Sequence, residues 1–221
     1  SAPPAKLTIE PAKCTVEMRG KQAVYTGEPI YLDPPVITGV ENENVTADTV
    51  VAYRPSAVLS RSNAVGQGWE FIQNPTEAGI YYGWAVKGRA GDYKAAVSDR
   101  AILVIRKAQV NVAIPDQTAT YNGKTPMIQG LSAQAETGED ITIPSIPFIR
   151  YHFYSDPEAT EEIDPPVNAG VYYVQAHLGE RDNYKASKSG VQKLTIEKAV
   201  PTISDVSLSD ITYGERGYLS E

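Results

Sequence analysis

The chain has 221 residues, with 20 Lys and Arg against 27 Asp and Glu, and a formal net charge of −7. Its acidic balance argues against a nucleic-acid surface, which needs a basic patch to displace counterions from phosphate. No apolar run approaches the roughly 20 residues that span a bilayer, and the N-terminal SAPPAK has no apolar core of a signal peptide, so we expect such a leader to be absent or already removed.

Residue usage predicts an all-β protein. Tyr occurs 14 times against 3 Phe, and Tyr, Val, Ile and Thr all favour the pleated, half-buried surface of strands. The 16 Pro and 17 Gly separate short alternating runs. Cys14, the single cysteine, stands in the alternating run KCTVEM, where we expect a half-buried strand residue, and no internal disulfide can form.

One ten-residue stretch occurs twice. TEAGIYYGWA (76–85) returns as VNAGVYYVQA (167–176), and their glycines are 170 − 79 = 91 residues apart. Recurrence at a fixed spacing is the signature of repeated structural units. Positions that correspond in the two copies are Tyr25 and Tyr121, Gly79 and Gly170, Tyr81 and Tyr172, and Tyr93 and Tyr184. Because Tyr25 and Tyr121 are 121 − 25 = 96 apart, we place about five extra residues of the first copy between 41 and 75, where the copies diverge most.

These anchors divide the chain into four segments. LTIEPA near the N-terminus matches LTIEKA at the end of the second copy, and DITYGERGYL near the C-terminus matches the start of a copy. The predicted segments are 1–12, the last strand of a preceding repeat or a linker; 13–108, one repeat; 109–199, a second repeat; and 200–221, the start of a further, incomplete repeat.

A repeat of this length predicts an independent β-sandwich, because solenoid repeats are much shorter and need neighbours to bury their core. In the first repeat, β-branched residues favour a strand within 41–53. The alternating runs of the second repeat predict strands, each followed by turn residues, at 109–114, 118–123, 146–154 and 169–178, with a last strand in 184–198.

The duplicated stretch predicts a tyrosine corner. In immunoglobulin-like (Ig-like) sandwiches, a Tyr near the start of the penultimate strand bonds through its hydroxyl to upstream backbone. Tyr172 has the required spacing, and we expect Gly170 to adopt a tight or positive-φ conformation before it. In the first copy, Ile80, Tyr82, Trp84 and Val86 make the face opposite Tyr81 the more apolar one, so either a bulge or a strand buried on both faces would reconcile the copies.

Together these motifs resemble a known group of proteins. The order Tyr-x-Gly, Pro-x-Asn-Ala-Gly-x-Tyr-x-Val-x-Ala, Asn-Tyr and Leu-Thr-Ile-x-Lys-Ala is similar to the tandem Ig-like repeats of bacterial surface proteins known as MBG or YDG-type repeats. The resemblance implies an extracellular or cell-wall-associated location, a structural or adhesive role and no catalytic residues. It leaves the alternative of a β-grasp-like topology open.

Residue types that carry chemistry give no catalytic or metal pattern. His152 and His177, the two histidines, fall on outward strand positions, where we expect surface residues. The acidic loop 155–166 lacks the spacing of a calcium loop and is interpreted as solvated. No nucleotide, hydrolase or zinc motif occurs, and no Lys–Asn isopeptide motif is recognisable. We therefore predict no enzyme activity, no cofactor and no metal.

Two tryptophans, Trp69 and Trp84, occur only in the first repeat, where an exposed ring could contact protein or sugar, although core positions are the commoner role. Two functions remain open. One is a non-catalytic stalk of tandem domains that presents a binding head to an unknown host or cell-wall protein or glycan. The other is an accessory carbohydrate- or protein-binding module of a secreted enzyme. Neither involves nucleic acid or membrane insertion of this segment.

Overall fold

The computed structural model describes residues 5–45, 49–55, 74–89 and 92–202. Short strands separated by turns dominate these residues. The strands described in the first repeat are, in chain order, β1 (Thr15–Glu17), β2 (Lys21–Val24), β3 (Val36–Thr38), β4 (Thr49–Pro55), β5 (Gly79–Lys87), β6 (Ala96–Val97) and β7 (Ala101–Arg106).

The strands of the first repeat form two sheets. β1 pairs with β3 in an antiparallel ladder. The other sheet has the order β2-β7-β5-β4, with β6 paired beside β5. β2 runs parallel to β7, whereas the β7–β5 and β5–β4 ladders are antiparallel. The chain therefore gives its first strand to one sheet and its second strand to the other.

The second repeat repeats this order. Its strands are β8 (Val110–Ala113), β9 (Gln117–Thr120), β10 (Ser132–Ala135), β11 (Ile149–Tyr154), β12 (Glu162–Ile163), β13 (Gly170–Leu178), β14 (Ser187–Lys188) and β15 (Gln192–Glu197). β8 pairs with β10, and a larger sheet has the order β12-β11-β13-β15-β9, with β14 beside β13. β9 is parallel to β15, as β2 is to β7.

This common topology confirms an all-β fold with two tandem Ig-like repeats. All the ladders described join strands of the same repeat. Helix within the described ranges is confined to α1 (Thr142–Ser145) and the 3₁₀ turn Ile146–Phe148. That turn occupies the start of the predicted 146–154 strand, and Pro147 in it cannot donate to a ladder. The extra residues of the first repeat are expected between 41 and 75, and most of that range lies outside the described residues.

Compact packing does not follow the repeat boundary. One compact unit contains the described residues up to Val112, together with Ser132–Arg150 and His177–Lys188. The other contains Ala113–Leu131, Tyr151–Ala176 and the described residues from Ser189 onward. The predicted domain limits at 13–108 and 109–199 stay predictions, whereas the strand pairing follows those limits.

Each unit has a buried apolar centre. In the first unit, one cluster consists of Leu32, Tyr53, Tyr81, Ala101, Leu103 and Ile105. In the second unit, the buried apolar side chains include Ile114, Phe153, Val174, Ala176, Leu194 and Ile196. Removing a side chain such as Leu, Ile or Phe from water stabilises the fold by about 1.5–3 kcal/mol. Leu103 and Leu194 stand at the same point of the last strand in their copies, and both are fully buried.

Candidate functional site

The duplicated stretch forms a tyrosine corner in both copies. The Tyr81 hydroxyl donates a hydrogen bond to the Glu77 carbonyl oxygen at 2.7 Å. The Tyr172 hydroxyl donates to the Asn168 carbonyl oxygen at 3.2 Å. Tyr81 is only 6% exposed, and burial raises the pKa of its phenol, with the nearby Glu77 carboxylate adding to the effect. Each tyrosine hydroxyl therefore links the start of its strand to the backbone carbonyl four residues upstream.

Of the two conformations expected for Gly170, tight or positive-φ, the positive-φ one is wrong. Neither Gly79 nor Gly170 has a positive φ. A Cβ atom on Gly170 would lie 3.0 Å from the Tyr172 hydroxyl, and one on Gly79 would lie 3.6 Å from the Tyr81 ring. In both copies the ring two residues later folds back over the glycine; a side chain at Gly170 would force the Tyr172 hydroxyl to shift, whereas at Gly79 the contact would be of ordinary van der Waals length. The left-handed conformation occurs instead in the Tyr-x-Gly motif, where Gly27 and Gly123 have φ of 82° and 77°.

The same face of the strand points inward in both copies. β13 buries Val174, Ala176 and Leu178, which share the parity of Tyr172. β5 buries the corresponding positions, although its residues there are less apolar, and Lys87, only 2% exposed, stands where the second copy has Leu178. No bulge is needed to align the copies. At Gly83, a Cβ atom would lie 2.5 Å from Leu32 Cδ1, so the buried Leu32 side chain would have to shift.

A buried serine recurs beside this strand and was missed by the sequence analysis. Ser98 accepts a hydrogen bond from Ala85 N at 3.0 Å through its hydroxyl, which in turn donates to the Asp99 carbonyl oxygen at 2.8 Å. Ser189 accepts from Ala176 N at 2.9 Å in the same way. The offset of 91 residues relates the two serines, so the repeat spacing was the signal that could have revealed them.

A second group of contacts lies where the first repeat leads into the second, entirely within the first compact unit. The loop Glu180–Lys185 covers the end of the first repeat, and we call this loop together with Tyr25, Glu77, Ala78, Lys107 and Ala108 the junction cluster. Asn183 binds on three sides: its Oδ1 accepts from Ala78 N at 2.9 Å, its side-chain amide donates to the Glu77 carboxylate, and its carbonyl accepts from Ala108 N at 2.9 Å.

Aromatic and ionic contacts complete the junction cluster. The Tyr25 and Tyr184 rings meet edge to face, with centroids 5.4 Å apart, a geometry that stabilises by about 0.5–1.5 kcal/mol beyond burial. Lys107 Nζ lies 2.6 Å from Glu180 Oε1 and donates to the Arg181 carbonyl oxygen at 2.8 Å. The hydrogen bond and charge of Lys107 lower the pKa of Glu180.

Tyr184 is central to this cluster. Its hydroxyl donates to Glu139 Oε2 at 2.9 Å, and the Arg181 guanidinium lies 4.7 Å from the centre of its ring. Burial raises the pKa of the Tyr184 phenol well above its ordinary value, and the hydrogen bond to Glu139 raises it further. The ring therefore stays neutral and donating at physiological pH. Its counterpart Tyr93 is half-buried, and its hydroxyl lies over Gly39, where a Cβ atom would collide with it.

The outer face of the β2-β7-β5-β4 sheet in the first repeat carries a group of apolar residues. The apolar residues on this outer face are Val50 and Ala52 on β4, Ile80, Tyr82, Trp84 and Val86 on β5, Val97 on β6, and Ile102 and Val104 on β7. Beside Val104, the face also carries Gln22 of β2 and Arg106 of β7. Trp84 is half-buried, and the Arg100 guanidinium lies 4.5 Å from the Tyr82 ring centre. Val50 is 68% exposed and Val97 is 62% exposed. Trp69 lies outside the described residues.

The second repeat is polar at four of the corresponding positions, and it keeps Val171, which is 50% exposed, and Tyr173 at two others. Gln175, His177, Lys188 and Lys193 replace Trp84, Val86, Val97 and Ile102 in the alignment at 91 residues. Because the strand order is the same, the difference does not arise from the fold. Single exposed apolar residues need no explanation, whereas a contiguous apolar patch marks a candidate interaction surface.

The histidines and the acidic loop have structural partners. His152 Nδ1 lies 2.7 Å from Glu162 Oε1, and both His152 and His177 are half-buried rather than fully exposed. In the loop, the Asp156 carboxylate accepts from Glu161 N at 2.8 Å and from Thr160 N at 3.1 Å. These backbone hydrogen bonds lower the pKa of Asp156. Within the described ranges, no three His, Cys, Asp or Glu side chains are grouped to hold a metal ion.

Comparison with known proteins was made by sequence and by structure. No family model matches the sequence, and no match was found among curated proteins. Similar solved structures include immunoglobulin domains 1–4 of Sidekick-1, at 15% identity and a TM-score of 0.29, with 87% of this chain covered. The chain spans half the length of that structure.

Two further solved structures show the same level of similarity. The three N-terminal domains of the bacteriophage RB49 highly immunogenic outer capsid protein match at 16% identity and a TM-score of 0.25, covering 86% of this chain and 71% of theirs. Domains EC1-4 of Drosophila N-cadherin match at 14% identity and a TM-score of 0.24, covering 86% and 48%.

Proposed function

We propose that the chain is a non-catalytic structural module of a bacterial cell-surface or secreted protein, a segment of a stalk whose tandem repeats present a binding head. The junction cluster carries this proposal. The chain passes from β7, which ends at Arg106, to β8, which starts at Val110, through three residues, two of which are held by hydrogen bonds to the Glu180–Lys185 loop. A connection fixed in this way suits a stalk of tandem repeats better than a flexible linker would.

The resemblance to MBG or YDG-type repeats supports the same role and an extracellular or wall-associated location. Its Tyr-x-Gly glycines adopt positive φ in both copies, and its tyrosines form the corner in both. Within the described residues, no helix is long and apolar enough to cross a bilayer. These motif residues thus have structural roles that do not involve a substrate.

Protease shaving of intact source cells tests this role. We expect peptides of this segment among those released from intact cells or found in the culture medium, with a cytoplasmic protein as the control for lysis. Release only after the cells are broken would contradict the proposal. Turnover of a glycan, peptide or ester by the purified chain, abolished by one substitution, would contradict the absence of catalysis.

A second candidate function follows from the outer face of the first repeat. Tyr82 and Trp84 lie on a sheet face of apolar residues, and aromatic rings of this kind contact sugars and proteins. An accessory binding module would use this face. A glycan array probed with the purified chain and with its Trp84→Ala variant distinguishes the two functions. Glycan binding that the substitution abolishes supports the accessory module, whereas no binding of the unsubstituted chain to any glycan on the array favours the stalk.

A further inference from the structure

The junction cluster shows what one repeat presents to the repeat that follows it. The first repeat offers the Tyr25 ring, the Ala78 N–H, the Lys107 ammonium and the backbone of Ala108. The loop Glu180–Lys185 supplies the complement to each. Ala108 is fully buried there, and its N–H and carbonyl pair with Asn183 and Lys185.

The second repeat builds the same surface. Tyr121 N donates to the Glu197 carbonyl oxygen at 2.8 Å, as Tyr25 N donates to the Arg106 carbonyl oxygen at 2.8 Å. The corner of Tyr172 fixes Asn168 and Ala169 as the corner of Tyr81 fixes Glu77 and Ala78. We call Tyr121, Asn168, Ala169, Lys198 and Ala199 the receiving face, since they correspond to the five junction-cluster residues of the first repeat.

The receiving face differs from its counterpart in exposure. Tyr121 is 42% exposed, whereas Tyr25 is partly buried against the core of its repeat. Ala199 and Lys198 are exposed, whereas Ala108 is fully buried. The Tyr121 ring, the Lys198 ammonium and the backbone at Ala199 are thus exposed, whereas Tyr25, Lys107 and Ala108, their counterparts in the first repeat, are covered by the Glu180–Lys185 loop.

We propose that the receiving face binds a loop equivalent to Glu180–Lys185 from a further repeat of the same array. This inference rests on the proposed function, because it requires that the chain belong to a tandem array. The occupant is specified by chemistry: a side-chain amide that accepts from Ala169 N, an aromatic ring against Tyr121 and a carboxylate for Lys198. Continuity with the junction cluster selects this occupant, since the sequence LTIEKA ends at Ala199 as LVIRKA ends at Ala108.

One difference sets the expected chemistry apart from the first junction. Glu77 accepts from the Asn183 side chain with a carboxylate, whereas Asn168 offers a neutral amide oxygen at that position. A charge-assisted hydrogen bond is roughly twice as strong as a neutral one. The second junction should therefore open more readily than the first, and the array should contain junctions of unequal strength.

An extended chain tests the proposal, with residues 200–221 replaced by a second copy of residues 109–199. Tyrosine nitration by tetranitromethane, mapped by mass spectrometry, reports ring exposure. We expect the rate at Tyr121 to fall several-fold in the extended chain. Tyr31, which is 45% exposed and lies in the first repeat, is the internal control and should react equally in both chains. Equal nitration of Tyr121 in the two chains would overturn the proposal.

Substitutions in the appended copy alone identify the occupant. Asn183→Ala and Tyr184→Ala introduced there should restore fast nitration of Tyr121, because they remove the amide and the ring. Continued protection would show that another surface covers Tyr121 and would also overturn the proposal.

The original chain gives a test that does not depend on the extended one. Tyr184→Ala should raise nitration of Tyr25 several-fold, and failure to do so would remove the premise. Either failure leaves the cell-shaving result, and hence the proposed function, unaffected.

Discussion

The buried serines beside the penultimate strand give the sharpest prediction about stability. Ala85 is fully buried, and its N–H donates to the Ser98 hydroxyl at 3.0 Å. Ser98→Ala removes the acceptor and leaves this N–H without its partner inside the protein. A buried donor left unsatisfied costs about 1–3 kcal/mol. We expect the free energy of unfolding to fall by that amount.

The second copy supplies a replicate of the same experiment. Ser189 accepts from Ala176 N at 2.9 Å, and Ala176 is also fully buried. Ser189→Ala should therefore cost about as much, about 1–3 kcal/mol. Ser132, which is exposed on β10, is the matched control, and Ser132→Ala should change the stability by less than about 0.5 kcal/mol.

Urea denaturation followed by circular dichroism and tyrosine fluorescence measures these changes. A shift of the midpoint at constant slope reports a change in stability, whereas a changed slope reports loss of two-state behaviour. Losses below about 0.5 kcal/mol for both Ser98→Ala and Ser189→Ala would refute the reasoning. The hydroxyls would then be replaceable by water, and the recurrence of serine would need another explanation.

Three further predictions concern the corner, the core and the acidic loop. Tyr81→Phe should lower the free energy of unfolding by about 0.5–1.5 kcal/mol, the net contribution of one hydrogen bond, and an unchanged urea midpoint would contradict the corner. Gly83→Val, which introduces the residue of the second copy, should cost about 1–3 kcal/mol through overpacking against Leu32, and an unaltered thermal midpoint would show that Leu32 moves aside freely. Asp156 has a lowered pKa, so its stabilising effect is present above the ordinary carboxyl pKa and is lost as the pH falls through the folded value. Asp156→Ala should therefore weaken the chain at neutral pH and flatten its loss of stability in acid, and identical acid-unfolding curves would argue against this.

The sequence alone determined the fold class, the repeat and the correspondence of residues. Alternating runs and turn residues are local properties, so the strands at 110–113, 149–154 and 170–178 follow from the order of residues alone. The placement of Tyr81 two residues after Gly79 also follows from strand geometry, because residues two apart in a strand point to the same face of the sheet. The predicted link from the Tyr172 hydroxyl to upstream backbone is the geometry that the structure shows.

Tertiary structure alone decided which face of β5 is buried and which side chains lie against Gly83 and Gly170. Ile80, Tyr82, Trp84 and Val86 are the more apolar set, yet they form the outer face, because the sheet buries the side that carries Tyr81. Local hydrophobicity cannot reveal this, since burial depends on which sheet packs against the strand. The partners of Tyr25 and Ser98 lie 159 and 13 residues away, at Tyr184 and Ala85, and only folding brings them together.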